Sequence, residues 1–405
     1  MTDRPLAWIG AAQASQLLGV SRTTLYAYVS RGFVRSQASP GSTRERTYSR
    51  DDVERLRRRT EERRAPDKAA AHALQWGMPI LESSIALIDG RRLYYRGLDA
   101  TVLARSRSLE EIAGLIWTGQ LETVNPAPGS RAAPPAPRGP FVTRAQIMLA
   151  LAAARDPLAF DLRAPSVAIA GSRILRLLTQ AVTSQDRQEG RVDALLARHW
   201  NVGAAGAHIV RAALVLCADH ELNVSSFTAR CVASSGSHPY AVVCAGLAAL
   251  EGPKHGGASA RAESMLASVR RERSLRSAVS ARLRRGEPID GFGHPLYRDG
   301  DPRARLLLDL LGERCARSAE YRFVMEFAQT ASSLTGEEPN IDFGLAAIAR
   351  VLGLPAGSPL VLFAIGRSVG WIGHAIEQYA TGQLIRPRAK YVGVPPANVM
   401  PGQIG

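Results

Sequence analysis

Three histidines and one aspartate stand in blocks unlike the rest of the chain. The blocks are Asp219-His220-Glu221-Leu222-Asn223, Gly252-Pro253-Lys254-His255-Gly256-Gly257-Ala258, Gly291-Phe292-Gly293-His294 and Pro339-Asn340-Ile341-Asp342-Phe343. Imidazole and carboxylate are the side chains most often used to move protons or to donate to a polarised carbonyl. Gly256, Gly257 and Ala258 beside His255 leave room for a bulky group to approach the backbone. Gly293 and Pro295 enclose His294 in a segment stiff enough to aim a donor. Pro339-Asn340 marks a helix start, so Asp342 can cap a helix, act as a base, or do both. His72, His199, His208, His238 and His374 lack such neighbours and read as structural. Arg367 lies inside the apolar run Pro359–Ile376, where a buried guanidinium needs a partner. Either a carboxylate of the protein or one of a substrate could serve.

The elements that must position these groups are mostly helices. Ser108-Leu109-Glu110-Glu111 is a capping box ahead of Ile112, Leu115 and Ile116, and that helix should stop near Gly119. Period-two patterning is confined to Ile85–Asp89 and Leu93–Tyr95 around Gly90, which predicts a small hairpin. Residues 122–142 hold six prolines (126, 128, 134, 135, 137 and 140) and read as a loop or disordered insertion. The expectation is a mainly α catalytic region over 75–405, with a small helical subdomain at about 225–335. No repeat of 20–50 residues is visible. With 405 residues and 46% hydrophobic content, the chain can bury a large core.

Residues 1–65 differ in texture. They carry 13 Arg against 7 Asp plus Glu, a net charge of +6. Ala11–Leu18 predicts a short helix, Gly19-Val20 a turn, and Ser21 the N-cap of a second helix through Arg31, ended by Gly32. Arg35–Arg50, with Pro40-Gly41 in the middle, suits a two-stranded wing, and Ser49-x-x-Asp52 caps a further basic helix. This is helix-turn-helix spacing, with polar residues at the exposed start of the second helix, as major-groove reading needs. DNA contacts would come from Arg22, Thr23, Arg31, Arg44 and Arg46, mostly to phosphate. A protein-contact or oligomerisation role is the alternative. Residues 66–74 read as a linker.

The whole chain has a formal charge of +15, and Lys68, Lys254 and Lys390 are its only lysines. Arginine bias reflects in part a GC-rich coding sequence, and the remainder favours anionic partners. Cys217, Cys231, Cys244 and Cys315 form no CxxC pair and lack zinc-ligand spacing, so they read as free thiols of a reducing cytoplasm. There is no signal-peptide pattern at the N-terminus. Tyr240–Leu250 is too short for a bilayer, and Pro359–Ile376 carries Arg367 and His374. The expectation is a cytoplasmic protein without a membrane partner.

The four blocks, with Asp301-Pro302-Arg303, resemble citrate synthases in content and order. Ile85–Asp89-Gly90, Leu93–Gly97, Phe363–Trp371 and Ile385–Gly393 agree as well, so the resemblance runs from about residue 80 to 393. The module over 1–65 resembles, in Ala14–Arg35 and the wing ending at Tyr48-Ser49, the winged helix-turn-helix of mercury-resistance regulators and excisionases, which most citrate synthases lack. The sequence departs from the family in three places. Phe343 is followed by Gly344-Leu345-Ala346 rather than Ser-Gly, Ser259 stands where Asn is usual, and residues 122–142 interrupt a region that is normally helical.

The resemblance implies a fold of large and small helical domains. It also implies a condensation of acetyl-CoA with oxaloacetate, followed by hydrolysis to citrate and CoA. It assigns His255 to the enol oxygen of the acyl-CoA, His294 to the 2-oxo carbonyl, Asp342 to proton removal and His220 to holding oxaloacetate. Arg303, Arg367 and Arg386 fall where the family binds carboxylates, the last reaching in from a partner subunit of a homodimer. Arg298 matches a CoA-phosphate contact. No metal or other cofactor is expected, because arginines and histidines supply the electrostatics. The chemistry is coherent: a carboxylate can deprotonate a thioester methyl group only if the enolate oxygen is stabilised at the same time. Propionyl-CoA, giving 2-methylcitrate, is a close alternative. A DNA-binding regulator whose synthase-like domain senses ligands is a more distant one.

Overall fold

Glycine and serine punctuate the N-terminal unit. The computed structural model describes residues 8–39, 42–54, 56–57, 81–125, 134–185, 189–297, 299–389 and 391–393. The chain divides into two units, Met1–Glu82 and Ser83–Gly405. In the first, β1 (Trp8–Gly10) leads into α1 (Ala11–Leu18). Gly19 ends α1 in the left-handed conformation (φ 63°). Ser21 then caps α2 (Arg22–Ser30) by accepting from the Thr24 amide at 3.2 Å. The wing is the hairpin of β2 (Ser36–Ser39) and β3 (Ser42–Ser49). β1 adds to it antiparallel, giving the order β1-β3-β2. That extra strand is too short to carry a readable period. Ile9, Ala14, Leu18, Leu25, Val34, Tyr48 and Val53 form a core belonging to this unit alone. Arg35 makes a forked pair with Asp52 (2.7 and 3.1 Å), tying the base of the wing to the helical turn at 50–54. His72 and the segment 66–74 lie outside the described residues.

The second unit opens on the three-stranded meander β4 (Ala86–Asp89), β5 (Arg92–Tyr95) and β6 (Leu98–Asp99). Helices follow: α3 (Ala100–Ser106), α4 (Leu109–Thr118), α5 (Phe141–Arg155), α6 (Ala164–Thr183), α7 (Val192–His199) and α8 (Gly203–Leu216). Next come α9 (Val224–Ser234), α10 (Pro239–Leu250), α11 (Gly257–Val269) and α12 (Leu275–Arg284). The last are α13 (Pro302–Cys315), α14 (Ala319–Thr335), α15 (Ile341–Leu352) and α16 (Ser358–Thr381). The capping box at α4 is complete, with Ser108 Oγ accepting from the Glu111 amide and Glu111 accepting from the Ser108 amide. Gly119 ends that helix at φ 79°. Within 122–142, the described residues ahead of α5 form no helix.

One helix organises the core. α16 is 24 residues long and apolar enough to cross a membrane, yet 89% of its apolar window is buried inside the protein. Its glycines let neighbours approach the backbone. A Cβ on Gly366 would lie 2.5 Å from the Leu214 carbonyl oxygen of α8, and one on Gly373 would collide with Ile116 of α4. Gly246 of α10 plays the converse part, since a Cβ there would lie 2.5 Å from the Trp371 ring. Overpacking a core by one methyl typically costs about 1–3 kcal/mol. Against a fixed carbonyl there is little room to relax, so Gly366→Ala should destabilise the second unit by about 3 kcal/mol. Denaturant unfolding followed by far-ultraviolet circular dichroism measures this, and an unchanged midpoint would contradict the packing described.

Candidate functional site

Backbone pairing joins two of the four blocks. Phe292 and Pro339 form an antiparallel bridge. The Gly293 amide donates to the Glu338 carbonyl at 2.9 Å, and the Asn340 amide donates to Gly291 at 2.8 Å. The Asn340 side chain then acts at both ends: Nδ2 donates to the Gly293 carbonyl (2.9 Å), and Oδ1 accepts from the Asp342 amide (3.0 Å). One residue therefore caps α15 and clamps the segment that carries His294. Gly291 permits this approach, with φ 86° and any Cβ meeting Phe343 at about 2.8–3.0 Å.

His294 belongs to a ring cluster. Its centroid lies 5.2 Å from His220 and 4.9 Å from Tyr297. His220 Nε2 and the Tyr297 hydroxyl are 3.1 Å apart. Arg303 lies over the Tyr297 ring at 5.6 Å. Its guanidinium is buried and forked onto Asp301 (2.9 and 2.7 Å), while Asp301 also accepts from the Ile341 amide at 3.0 Å. One buried carboxylate thus fixes both Arg303 and the first residue of α15.

His255 and Arg367 meet through Phe363. The His255 ring stands edge-on to Phe363 at 5.7 Å, and the Arg367 guanidinium lies 4.7 Å from the same ring. His255 Nε2 is 2.8 Å from Ser225 Oγ. Arg367 is fully buried; Nε donates to the Cys217 carbonyl at 2.8 Å, and Nη1 has no hydrogen-bond partner among the described residues. The glycines after His255 have an immediate local reason, which differs from room for a ligand. A Cβ on Gly256 would collide with the Leu250 carbonyl, and one on Gly257 would sit 3.3 Å from that of Gly252.

Asp342, in the first turn of α15, accepts a close hydrogen bond from Ser259 Oγ. Burial pushes its pKa up, with the Ser259 hydrogen bond and the Arg303 charge acting against that. The histidines move the other way. Burial, aided by Arg367, pulls His255 down to about 4. Burial, aided by Arg303, does the same to His294, also to about 4. His220 falls well below the usual imidazole range through burial and both arginines. All three rings are neutral at pH 7 and can act as uncharged hydrogen-bond donors or acceptors. Beside a buried guanidinium with an N–H unpaired among the described residues, the arrangement can hold an anion, polarise a carbonyl and accept a proton.

These contacts form two groups, His220, His294, Arg303 and the Asp342 turn in one and His255 with Arg367 in the other, and the Arg367 charge acts on His220 as well as on His255. Arg386 is exposed in the segment after α16 and touches none of them. Arg298 lies outside the described residues. In the first unit Arg22, Thr23 and Arg31 are exposed on or just after α2, and Arg46 is exposed on β3 with Nη2 3.4 Å from the Ser36 carbonyl. Arg44 also lies in β3, its side chain outside those described. Ser225 and Tyr297 enter the site without sequence warning, because such residues are common and carry no local signature, whereas Phe363 opens the block Phe363–Trp371 that the resemblance already marked. Asp301 had one: an acid two residues before an arginine at a helix start.

The family model described as "Citrate synthase, C-terminal domain" matches residues 73–131 and 148–388. The chain belongs to the citrate synthase family. It is accordingly an acyltransferase-type condensing enzyme. A second model, "MerR HTH family regulatory protein", matches residues 11–60. Citrate synthase 2 of Bacillus subtilis is 29% identical over 352 residues, 78% of this chain and 94% of that protein. The 2-methylcitrate synthase of Shewanella oneidensis is also 29% identical, over 354 residues, 78% of this chain and 92% of that protein. The citrate synthase structure from Thermotoga maritima superposes with a TM-score of 0.66 at 28% identity, covering 80% of this chain and 96% of that one.

At this candidate site, Ser259 is the one described side-chain donor to Asp342. Ser259→Ala should therefore raise the Asp342 pKa further, because it removes a hydrogen bond that favours the charged form. A carbon-13 NMR titration of the Asp342 carboxyl reads the shift directly. A downward shift or none would mean that Ser259 does not tune this group.

Proposed function

We propose that the chain is a citrate synthase, condensing acetyl-CoA with oxaloacetate and hydrolysing citryl-CoA to citrate and CoA. The observation that carries the reading is Arg367, buried beside neutral histidines with no partner for Nη1 among the described residues. A buried cation in that state favours a carboxylate ligand. On this reading Asp342 removes a proton from the thioester methyl group while His255 donates to the oxygen that gains charge. The enol carbon attacks the 2-oxo carbon of oxaloacetate, whose carbonyl His294 polarises. Arg303, Arg367 and His220 hold the dicarboxylate, joined by Arg386 of the partner subunit in a homodimer, and Arg298 takes a CoA phosphate. Water then cleaves the thioester and frees CoA. The exposure of Arg386 suits such a reach across subunits, as does the set of outward-facing apolar side chains Ile147, Leu151, Leu158 and Phe160. A cytoplasmic location, where acetyl-CoA and reduced thiols coexist in bacteria, fits the four free cysteines.

A thiol-release assay of the purified chain with oxaloacetate and either acetyl-CoA or propionyl-CoA tests the assignment. Acetyl-CoA should have the higher kcat/KM; a strong preference for propionyl-CoA would move the assignment to 2-methylcitrate synthase. Asp342→Asn should lower kcat by about 10³-fold, the usual order for losing a positioned base. Equal rates in wild type and variant would remove Asp342 from the reaction.

A second role rests on the first unit, whose exposed Arg22, Thr23 and Arg31 surround a separate hydrophobic core. We propose that it binds DNA, chiefly through phosphates. Gel-shift titration of the full chain should give an affinity that falls with salt, log K dropping by about 0.9 per log unit of salt for each phosphate contact. Replacing Arg22 and Arg31 together by Ala should flatten that slope by about 2. Binding insensitive to salt, or none, would leave the module as a protein-contact element.

A further inference from the structure

Three successive turns of α16 grip three successive residues of the chain that leads into His220. Arg367 Nε donates to the Cys217 carbonyl at 2.8 Å. The Gly370 amide donates to the Ala218 carbonyl at 3.0 Å. His374 Nε2 lies 3.2 Å from Asp219 Oδ1. Spacings of three and four residues put 367, 370 and 374 on one helix face, so the grip follows directly from the helical repeat. Gly370 makes the notch: a Cβ there would collide with the Ala218 carbonyl and with Asp219 Oδ1. From the opposite side, the Tyr95 hydroxyl donates towards the Val215 carbonyl at 3.0 Å and lies 3.4 Å from the Asp219 amide.

The last rung is the one that aims a side chain. Asp219 and His374 are both fully buried. The other oxygen of Asp219 accepts from the Glu221 amide at 3.2 Å, closing a tight turn around His220. Glu221 sits at φ 52°, an unfavourable value for a side-chain-bearing residue. Something must hold that turn, and the carboxylate does so from inside it. The carboxylate is in turn held by His374. Were His374 only a packing residue, its ring would have no reason to meet the one acid that precedes His220.

We infer that His374 is a positioning residue: by holding Asp219 it fixes the turn that points His220 at His294 and Tyr297. This rests on the reading of His220 as an oxaloacetate contact, and it extends that reading to a residue with no access to the substrate. His374→Leu keeps the volume and removes the donor, whereas His374→Gln keeps an N–H near the position of Nε2. His374→Leu should raise the KM for oxaloacetate about tenfold or more, the scale of one hydrogen bond lost to a buried carboxylate, with the acyl-CoA KM unchanged. His374→Gln should restore most of the loss. An unchanged oxaloacetate KM in His374→Leu, or a loss that Gln does not rescue and that falls equally on both substrates, would overturn the inference.

A readout independent of turnover separates the two readings. In histidine-labelled NMR spectra, with His220 assigned by its loss in His220→Gln, the His220 ring signals should move in His374→Leu and return in His374→Gln. Signals that stay in place in His374→Leu would overturn the positioning role even if the chain proved inactive with oxaloacetate. Wild type that releases no CoA would overturn the citrate synthase reading alone. If His374→Leu fails to fold, His374→Ala and His374→Gln form the same comparison.

Discussion

The candidate site has to accommodate two guanidinium groups sealed from solvent, Arg303 and Arg367, while a third buried arginine, Arg230, pairs with Glu377 elsewhere. Taking a charge out of water costs several kcal/mol unless partners replace its hydration. Arg303 meets that demand with a forked carboxylate, and Asp301 outweighs the burial that would otherwise weaken its hold on the proton. Arg367 meets it only in part, with a carbonyl, the face of Phe363 and the more distant charge of Asp219. The difference has a chemical meaning. Arg303 is an ion pair already made, a rigid donor whose direction is set. Arg367 retains unsatisfied capacity, so an anion that reaches it replaces missing hydration instead of competing with an internal partner.

The scaffold around these charges is built from chain ends as much as from helices. His294 and Tyr297 lie in a helix-free segment, His255 just ahead of a helix, and Asp342 in the first turn of one. Such positions are easily displaced unless their backbone groups are bonded. Here the bonds are shared. Asn340 serves both the cap of α15 and the His294 segment, and Asp301 serves both Arg303 and Ile341. A shift of either segment therefore moves Asp342, His294 and Arg303 together. That coupling explains why the blocks are short and crowded with Gly, Pro and Asn: close backbone approach needs missing side chains, and each cap needs a short polar one.

The same physics sets what could be read from sequence. The helix starts at Ser21 and Ser108 were legible because a cap and its bonded amide lie three residues apart. The histidines and Asp342 were legible because their neighbours are unusual. The partners of those residues lie far off in sequence: Ser225 bonds His255 across 30 positions, and Ser259 bonds Asp342 across 83. No local pattern encodes such pairs. His374 is the clearest case, since it sits in an apolar helix where a histidine looks like filler, and only the docking of α8 against α16 brings Asp219 to it. β1 went unread for the opposite reason: three residues are too few to display a period of two.

Burial alone would spoil the chemistry that these groups are suited to. It drives histidine and aspartate alike towards their neutral forms, which favours a neutral imidazole donor and works against an ionised base. The arginines break that symmetry. Their positive potential adds to the effect of burial on His220, His255 and His294, and Arg303 opposes it at Asp342, with Ser259 acting in the same sense. Asp342 still ends above the usual carboxylate range, but Arg303 and Ser259 pull it in the direction opposite to burial, whereas at the histidines charge and burial act together. The condensation proposed above draws on both tendencies: a carboxylate base at Asp342, and imidazole donors that carry no charge of their own beside the arginines. On the proposed reading, the buried arginines that hold the substrate also set how far burial shifts the histidines and Asp342.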